Sequence, residues 1–260
     1  MKKFFLISIL LLLWAAPALG AMSADEIVHR ANLASYYGGD DGKARVTMTI
    51  TDSQGRERKR EFIILRRDVA DGGDQNFYVY FRRPSDVRKM VFMVKKHVKG
   101  DDDRWLYLSK LDLVKRIAAS DKRTSFVGSN FFYEDVSGRS EKEDSHKLLE
   151  ETADHYVIEN IPKNPDAVEF ASYKVWIRKK DFMPDKAEYT DKQGRLYRVV
   201  EALEIKEIQG IPTVTKSRVR DLNSKSQTVS EFSKIQYNIG IKDSVFTERY
   251  LRRPPREARR

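Results

Sequence analysis

A repeated alternation of apolar and polar residues, broken by turn signals and by no long helical stretch, constrains this chain most. Ala44, Val46, Met48 and Ile50 alternate with Arg45, Thr47, Thr49 and Thr51. Period two marks an antiparallel strand with one wet face. Asp52-Ser53-Gln54-Gly55 turns the chain, and residues 56–67 return as the hairpin partner. The same reading places strands at 77–81, 90–94, 105–108, 114–118, 147–151, 156–161, 172–178, 186–190, 196–208, 213–222 and 228–237. Turn residues between them predict a hairpin-connected meander, and the lack of crossover helices argues against a parallel βαβ fold. So long a sheet twists, and it must close, split or be covered. Helical cover is expected only at 25–35, 129–135 and 244–250. The first of these opens with the capping box Ser23-x-x-Glu26 and stops at Gly38-Gly39. The expected fold is therefore mainly β: a strongly curved antiparallel sheet, an incomplete barrel, with a few covering α-helices.

The chain starts differently. Lys2 and Lys3 precede an apolar run from Phe4 to Trp14, followed by Pro17 and the small-residue stretch Ala18-Leu19-Gly20-Ala21. Charge, apolar core and small residues in this order predict a cleaved secretory signal peptide over 1–20. The run is shorter than the roughly 20 apolar residues needed to cross a bilayer. No cysteine occurs in the chain, so the cleavage point has no lipobox thiol and the fold has no disulfides. The expectation is a periplasmic protein with one β domain over 21–251. Residues 252–260 carry five arginines, two prolines and no large apolar side chain, and are expected to form a disordered basic tail.

The formal net charge is +10. For an exported chain this points away from nucleic acid and toward an anionic membrane surface or an acidic partner. The four histidines, His29, His97, His146 and His155, form no H-E-x-x-H pair, and no P-loop, G-x-G-x-x-G or G-x-S-x-G occurs. Asp101-Asp102-Asp103 lacks the spacing of an EF-hand loop. The reading is no enzyme, no metal and no cofactor. What is abundant is apolar strand surface on both faces. The surplus must meet a second layer, a ligand cavity or a partner. The residues taken as cavity lining are Phe77, Phe81, Phe92, Met93, Trp105, Tyr107 and Tyr173.

The stretch 101–136 reads DDDRWLYLSKLDLVKRIAASDKRTSFVGSNFFYEDV. Trp105-Leu106-Tyr107-Leu108, Lys115-Arg116-Ile117 and the block from Ser120 to Asp135 resemble the LolA-like outer-membrane lipoprotein-sorting family. Pro84-Ser85-Asp86-Val87-Arg88 is similar to that family's P-x-D-V-R element. The resemblance implies a LolA/LolB-like half-barrel closed by helices over an apolar cavity. It implies carriage of a lipid or acylated lipoprotein cargo between envelope components without chemistry, and handover involving an inner-membrane transporter of the resistance-nodulation-division (RND) type. Within the block, Ser125, Phe126, Gly128, Phe131, Phe132 and Tyr133 read either as a lid over the cavity mouth or as a rigid packed connection. The alternative function is a non-carrying accessory module of an envelope transporter whose cavity is filled core.

Overall fold

The computed structural model describes residues 22–70 and 72–259. The expected signal peptide, 1–20, lies outside the described residues. Helix α1 (Ala24–Tyr36) opens the fold. Ser23 caps it by accepting from the Glu26 amide at 3.2 Å. The glutamate does not reach back as a capping box requires; it accepts from Arg30 Nε, one turn on, at 2.7 Å.

Thirteen strands follow, in the thirteen places expected from the sequence. The first six are β1 (Asp41–Thr51), β2 (Glu57–Asp68), β3 (Gln75–Arg83), β4 (Val91–Lys96), β5 (Asp103–Leu108) and β6 (Leu113–Arg116). After a long connection come β7 (Asp144–Glu151), β8 (His155–Pro162), β9 (Phe170–Arg178), β10 (Pro184–Asp191), β11 (Leu196–Ile208), β12 (Ile211–Asp221) and β13 (Ser226–Tyr237). They form one antiparallel sheet in the order β6-β5-β4-β3-β2-β1-β13-β12-β11-β10-β9-β8-β7. Two meanders are thus joined at a central seam, where Val46 pairs with Phe232 and Met48 with Ser230. The edge strands β6 and β7 do not pair, so the sheet is an open, incomplete barrel. The chain travels from one edge to the other through 117–143, which carries the single turn α2 (Tyr133–Ser137). Helix was expected over 129–135; most of that stretch is irregular, and only its end is helical.

Strands β2 to β5 are apolar on both faces, and each face has its own cover. On one face Phe62, Phe81, Phe92 and Leu106 pack under Phe126 and Tyr133 of the connection. On the other, Ile63, Leu65, Tyr78, Met93 and Trp105 pack under Ile241, Val245, Phe246, Leu251 and Ala258 of the C-terminal segment. Helix α1 seats Ile27 and Ala31 on Ile158 of β8 and Ile177 of β9.

This corrects the reading of the tail. Residues 252–260 were expected to be disordered. Instead a turn at 243–245 and α3 (Arg249–Arg252) lead into α4 (Arg256–Arg259), with Pro255 and Ala258 buried. No large apolar group is needed: a proline and an alanine fit the shallow groove over β2 and β3. The segment is also pinned by hydrogen bonds. Asp41 accepts from the amides of Ile239 (2.8 Å) and Ile241 (2.7 Å), and Tyr78 Oη donates to the Tyr250 carbonyl at 2.7 Å. The tail therefore belongs to the core. Phe246→Ala should lower the unfolding free energy by about 3–5 kcal/mol, read from urea denaturation, and deletion of 252–260 should lower Tm. An unchanged Tm in the truncated chain would contradict this packing.

Candidate functional site: an apolar cavity beside a buried ion cluster

The concave side of the sheet holds a cavity of about 550 Å³. Its floor is the central seam: Ala44, Val46 and Met48 of β1, Phe232 and Ile235 of β13, and Phe62 and Ile64 of β2. One wall is α1 through Val28, Ala31 and Ser35, and another is the connection through Phe131 and Val136. The far wall comes from Val175 and Ile177 of β9, Ala187 and Tyr189 of β10, and Val200 and Ala202 of β11. Such a cleft, apolar with a few polar groups, is the usual form of a small-molecule site. Near its polar end the groups satisfy one another. The His146 ring lies 2.7 Å from Asn160 Oδ1 and 2.9 Å from the Glu141 carbonyl, and Tyr173 Oη donates to Asp144 at 2.8 Å. On the floor, Ser230 Oγ is buried without a partner among the described residues.

The connection beside this cavity is fastened by charge. Glu134 is 2 % exposed and meets Arg123 (2.5 Å), Lys122 (3.1 Å) and Arg139 (3.4 Å). Those cations reach onward, Arg123 to Glu169, Arg139 to Asp144 and Lys122 to Glu143. Asp135 takes Arg198 of β11 at 2.5 Å, and the Arg198 guanidinium stacks 4.3 Å from the Phe132 ring. Polar contacts fix the remaining sides. Asn130 exchanges hydrogen bonds with Thr228 of β13, and Lys96 of β4 donates to the Ser137 carbonyl at 2.6 Å. Gly138, at φ +78°, lets the connection pass against the Tyr36 ring, where a Cβ would collide. Both halves of the sheet are thereby tied to one internal plug.

Of the residues taken as lining, Phe77 and Tyr173 border the cavity. Phe81 and Phe92 share its face but lie beneath the plug, 5.7 and 5.5 Å from the Phe126 ring. Met93, Trp105 and Tyr107 point to the opposite face, under the C-terminal segment; they are corrected to that second core. Among the six residues read as a lid or packed connection, Phe126 and Phe131 border the cavity. Tyr133 is buried against Phe92 at 5.0 Å. Ser125 donates to the Ser129 carbonyl at 2.6 Å and bridges to Phe132, and Gly128, at φ +74°, turns the loop between them. The arrangement is that of a packed connection. The cavity floor of Ala44, Val46 and Met48 was missed as lining, although its alternation was the plainest in the chain. The sign available was its apolar parity on a long, central strand.

Geometry and fold together define a class: a LolA-like fold, an open β half-barrel with an apolar concave cavity. A DUF1329-family protein from Desulfovibrio piger is 28% identical, with a TM-score of 0.80 over 88% of this chain and 97% of its own. An outer-membrane lipoprotein-sorting protein domain from Vibrio parahaemolyticus is 25% identical, TM-score 0.80, over 88% and 98%. A LolA-superfamily protein from Nitrosomonas europaea shares the fold at 20% identity, TM-score 0.69, over 88% and 100%. No curated protein matches the sequence. A family model described as uncharacterized-protein-like matches residues 73–253, and the chain belongs to that family.

Burial raises the pKa of the Glu134 carboxyl, but Arg123, Lys122 and Arg139 outweigh it and bring it down to about 2, from 4.5. A depressed carboxylate pKa contributes stability that is fully present above 4.5 and lost as pH falls toward 2. Glu134→Gln removes that window and leaves Lys122, Arg123 and Arg139 with only their outer carboxylates. It should cost about 3–5 kcal/mol at neutral pH and flatten the acid limb of a Tm-versus-pH curve. A variant with wild-type acid sensitivity would show that Glu134 does not hold the plug.

Proposed function

We propose that this protein is a periplasmic carrier that takes an acyl chain of a lipid or lipoprotein into the concave cavity and releases it at another envelope component. The cavity carries the reading: an unfilled apolar cleft of about 550 Å³ beside a plug pinned to both halves of the sheet. Covering an acyl chain is worth about 0.8 kcal/mol per buried methylene, enough for capture, and non-directional apolar contact permits release. The description of the Vibrio parahaemolyticus relative as an outer-membrane lipoprotein-sorting protein domain supports the cargo class, and with the signal-like start of the sequence it supports a periplasmic location. No cluster of three or more His, Cys, Asp or Glu placed to hold a metal occurs among the described residues, and carriage requires none. The motif-block resemblance supports an RND-type transporter as the handover partner. Phe77 and Tyr173 remain the cargo-contacting residues of the original set, joined by Val46 and Phe131; the plug is read as a fixed wall.

A native mass spectrum of gently purified protein should show bound lipid in stoichiometric amount. Ala44→Phe, which places a ring over the cavity floor, should cut uptake of a fluorescent fatty acid at least tenfold while leaving Tm nearly unchanged. A lipid-free wild-type mass with no probe uptake would instead favour the non-carrying accessory module.

A further inference from the structure

The ordered C-terminal segment builds a second concavity on the convex side, about 590 Å³, on the other face of the sheet from the cargo cleft. Lys242, Arg249, Arg253, Arg256 and Arg259 line it, with Glu257 the single carboxylate among its lining residues. All five cations are exposed and make no ion pair or side-chain hydrogen bond with a described residue. Elsewhere on the surface arginines are mostly paired: Arg67 holds Asp243 at 2.7 Å, and Arg252 holds Asp112 at 3.0 Å. The second of these contacts joins the basic groove to the β5–β6 hairpin, whose turn contains Asp112. Arg252 also lies 5.8 Å over the Tyr107 ring of that hairpin. The hairpin tip projects Leu111, 70 % exposed, and Leu113, 48 % exposed, with Lys110 and Lys115 exposed beside them.

Two leucines with no core to enter, flanked by lysines and adjoining a cationic groove, have the chemistry of an interfacial anchor. The apolar side chains enter the boundary between headgroups and acyl chains, and the cations meet the headgroup phosphates. A nucleic acid or an acidic protein would use the charges and leave the leucines in water. We propose that the C-terminal groove and the β5–β6 tip form a docking surface for an anionic lipid bilayer. This extends the carrier reading by giving the loaded protein a place to stand while the cleft, on the opposite face, stays free.

Sedimentation of the full mature chain with vesicles tests this. Vesicles of phosphatidylcholine with phosphatidylglycerol should bind it, phosphatidylcholine alone should not, and binding should fall as salt screens the charges. Each cation near such a surface is worth about fivefold in partition, so Arg249→Gln/Arg253→Gln/Arg256→Gln together should lose about 100-fold. Leu111→Ser/Leu113→Ser should lose about tenfold or more with charge unchanged. Equal wild-type binding to both vesicles, or a triple variant that binds as wild type, overturns the proposal. Undiminished binding by the leucine variant removes the hairpin tip from the surface. Fatty-acid uptake in solution should be the same in all these proteins. Absent uptake with intact vesicle binding would sink the cargo reading and leave the docking surface standing.

Discussion

One acidic side chain organises the interior. Glu134 is placed where a lone carboxylate would be prohibitively costly, and it is tolerated because Lys122, Arg123 and Arg139 surround it. Each of those cations then answers to a second acid on the C-terminal half of the sheet or just before it. Exchange for apolar residues of equal volume need not cost stability. What the ions supply is position: charges of fixed geometry seat the connection at one height and one rotation. Phe126 and Tyr133 then fall onto Phe92, and Phe131 and Val136 are left as a cavity wall. The cavity is the space the plug does not fill.

The convex side solves a different problem with different means. A sheet apolar on both faces needs two covers, and here the second is a short, irregular segment with little helix of its own. It is held by side chains that complete backbone groups, Asp41 on two amides and Tyr78 on a carbonyl. Its small residues sit inward and its arginines outward, so one stretch of chain seals a core and presents a charged surface.

The strands were readable because half-buried ones such as β1 alternate, doubly buried ones such as β4 read as short apolar runs, and the turns between them carry their own chemistry. The site was less readable. Alternation says that Phe92 and Met93 face opposite ways but not which way is inward, and parity cannot be carried across hairpins that contain bulges. Register shifts at Glu61/Phe62 and at Lys43/Arg45 break such a count. Met93, Trp105 and Tyr107 were therefore assigned to the cavity when their parity belongs to the other core. The ion cluster was hidden for a different reason: most of its members lie within 122–144, but that connection is irregular, and without periodicity nothing says which of its charged side chains meet. The tail was misjudged because burial was equated with large apolar side chains, while Ala258 fills its groove by being small.

The strand order has a consequence for how the molecule comes into being. Within each meander every pairing is between neighbours in sequence, so either half can assemble as its strands arrive. The seam cannot: β1 waits for β13, and Thr51 meets Gln227 only when nearly the whole polypeptide is present. Contacts of such long sequence separation are slow to close. A chain emerging from its amino end therefore carries a first strand with one edge open until β13 is delivered, and the cavity floor is completed only after both meanders.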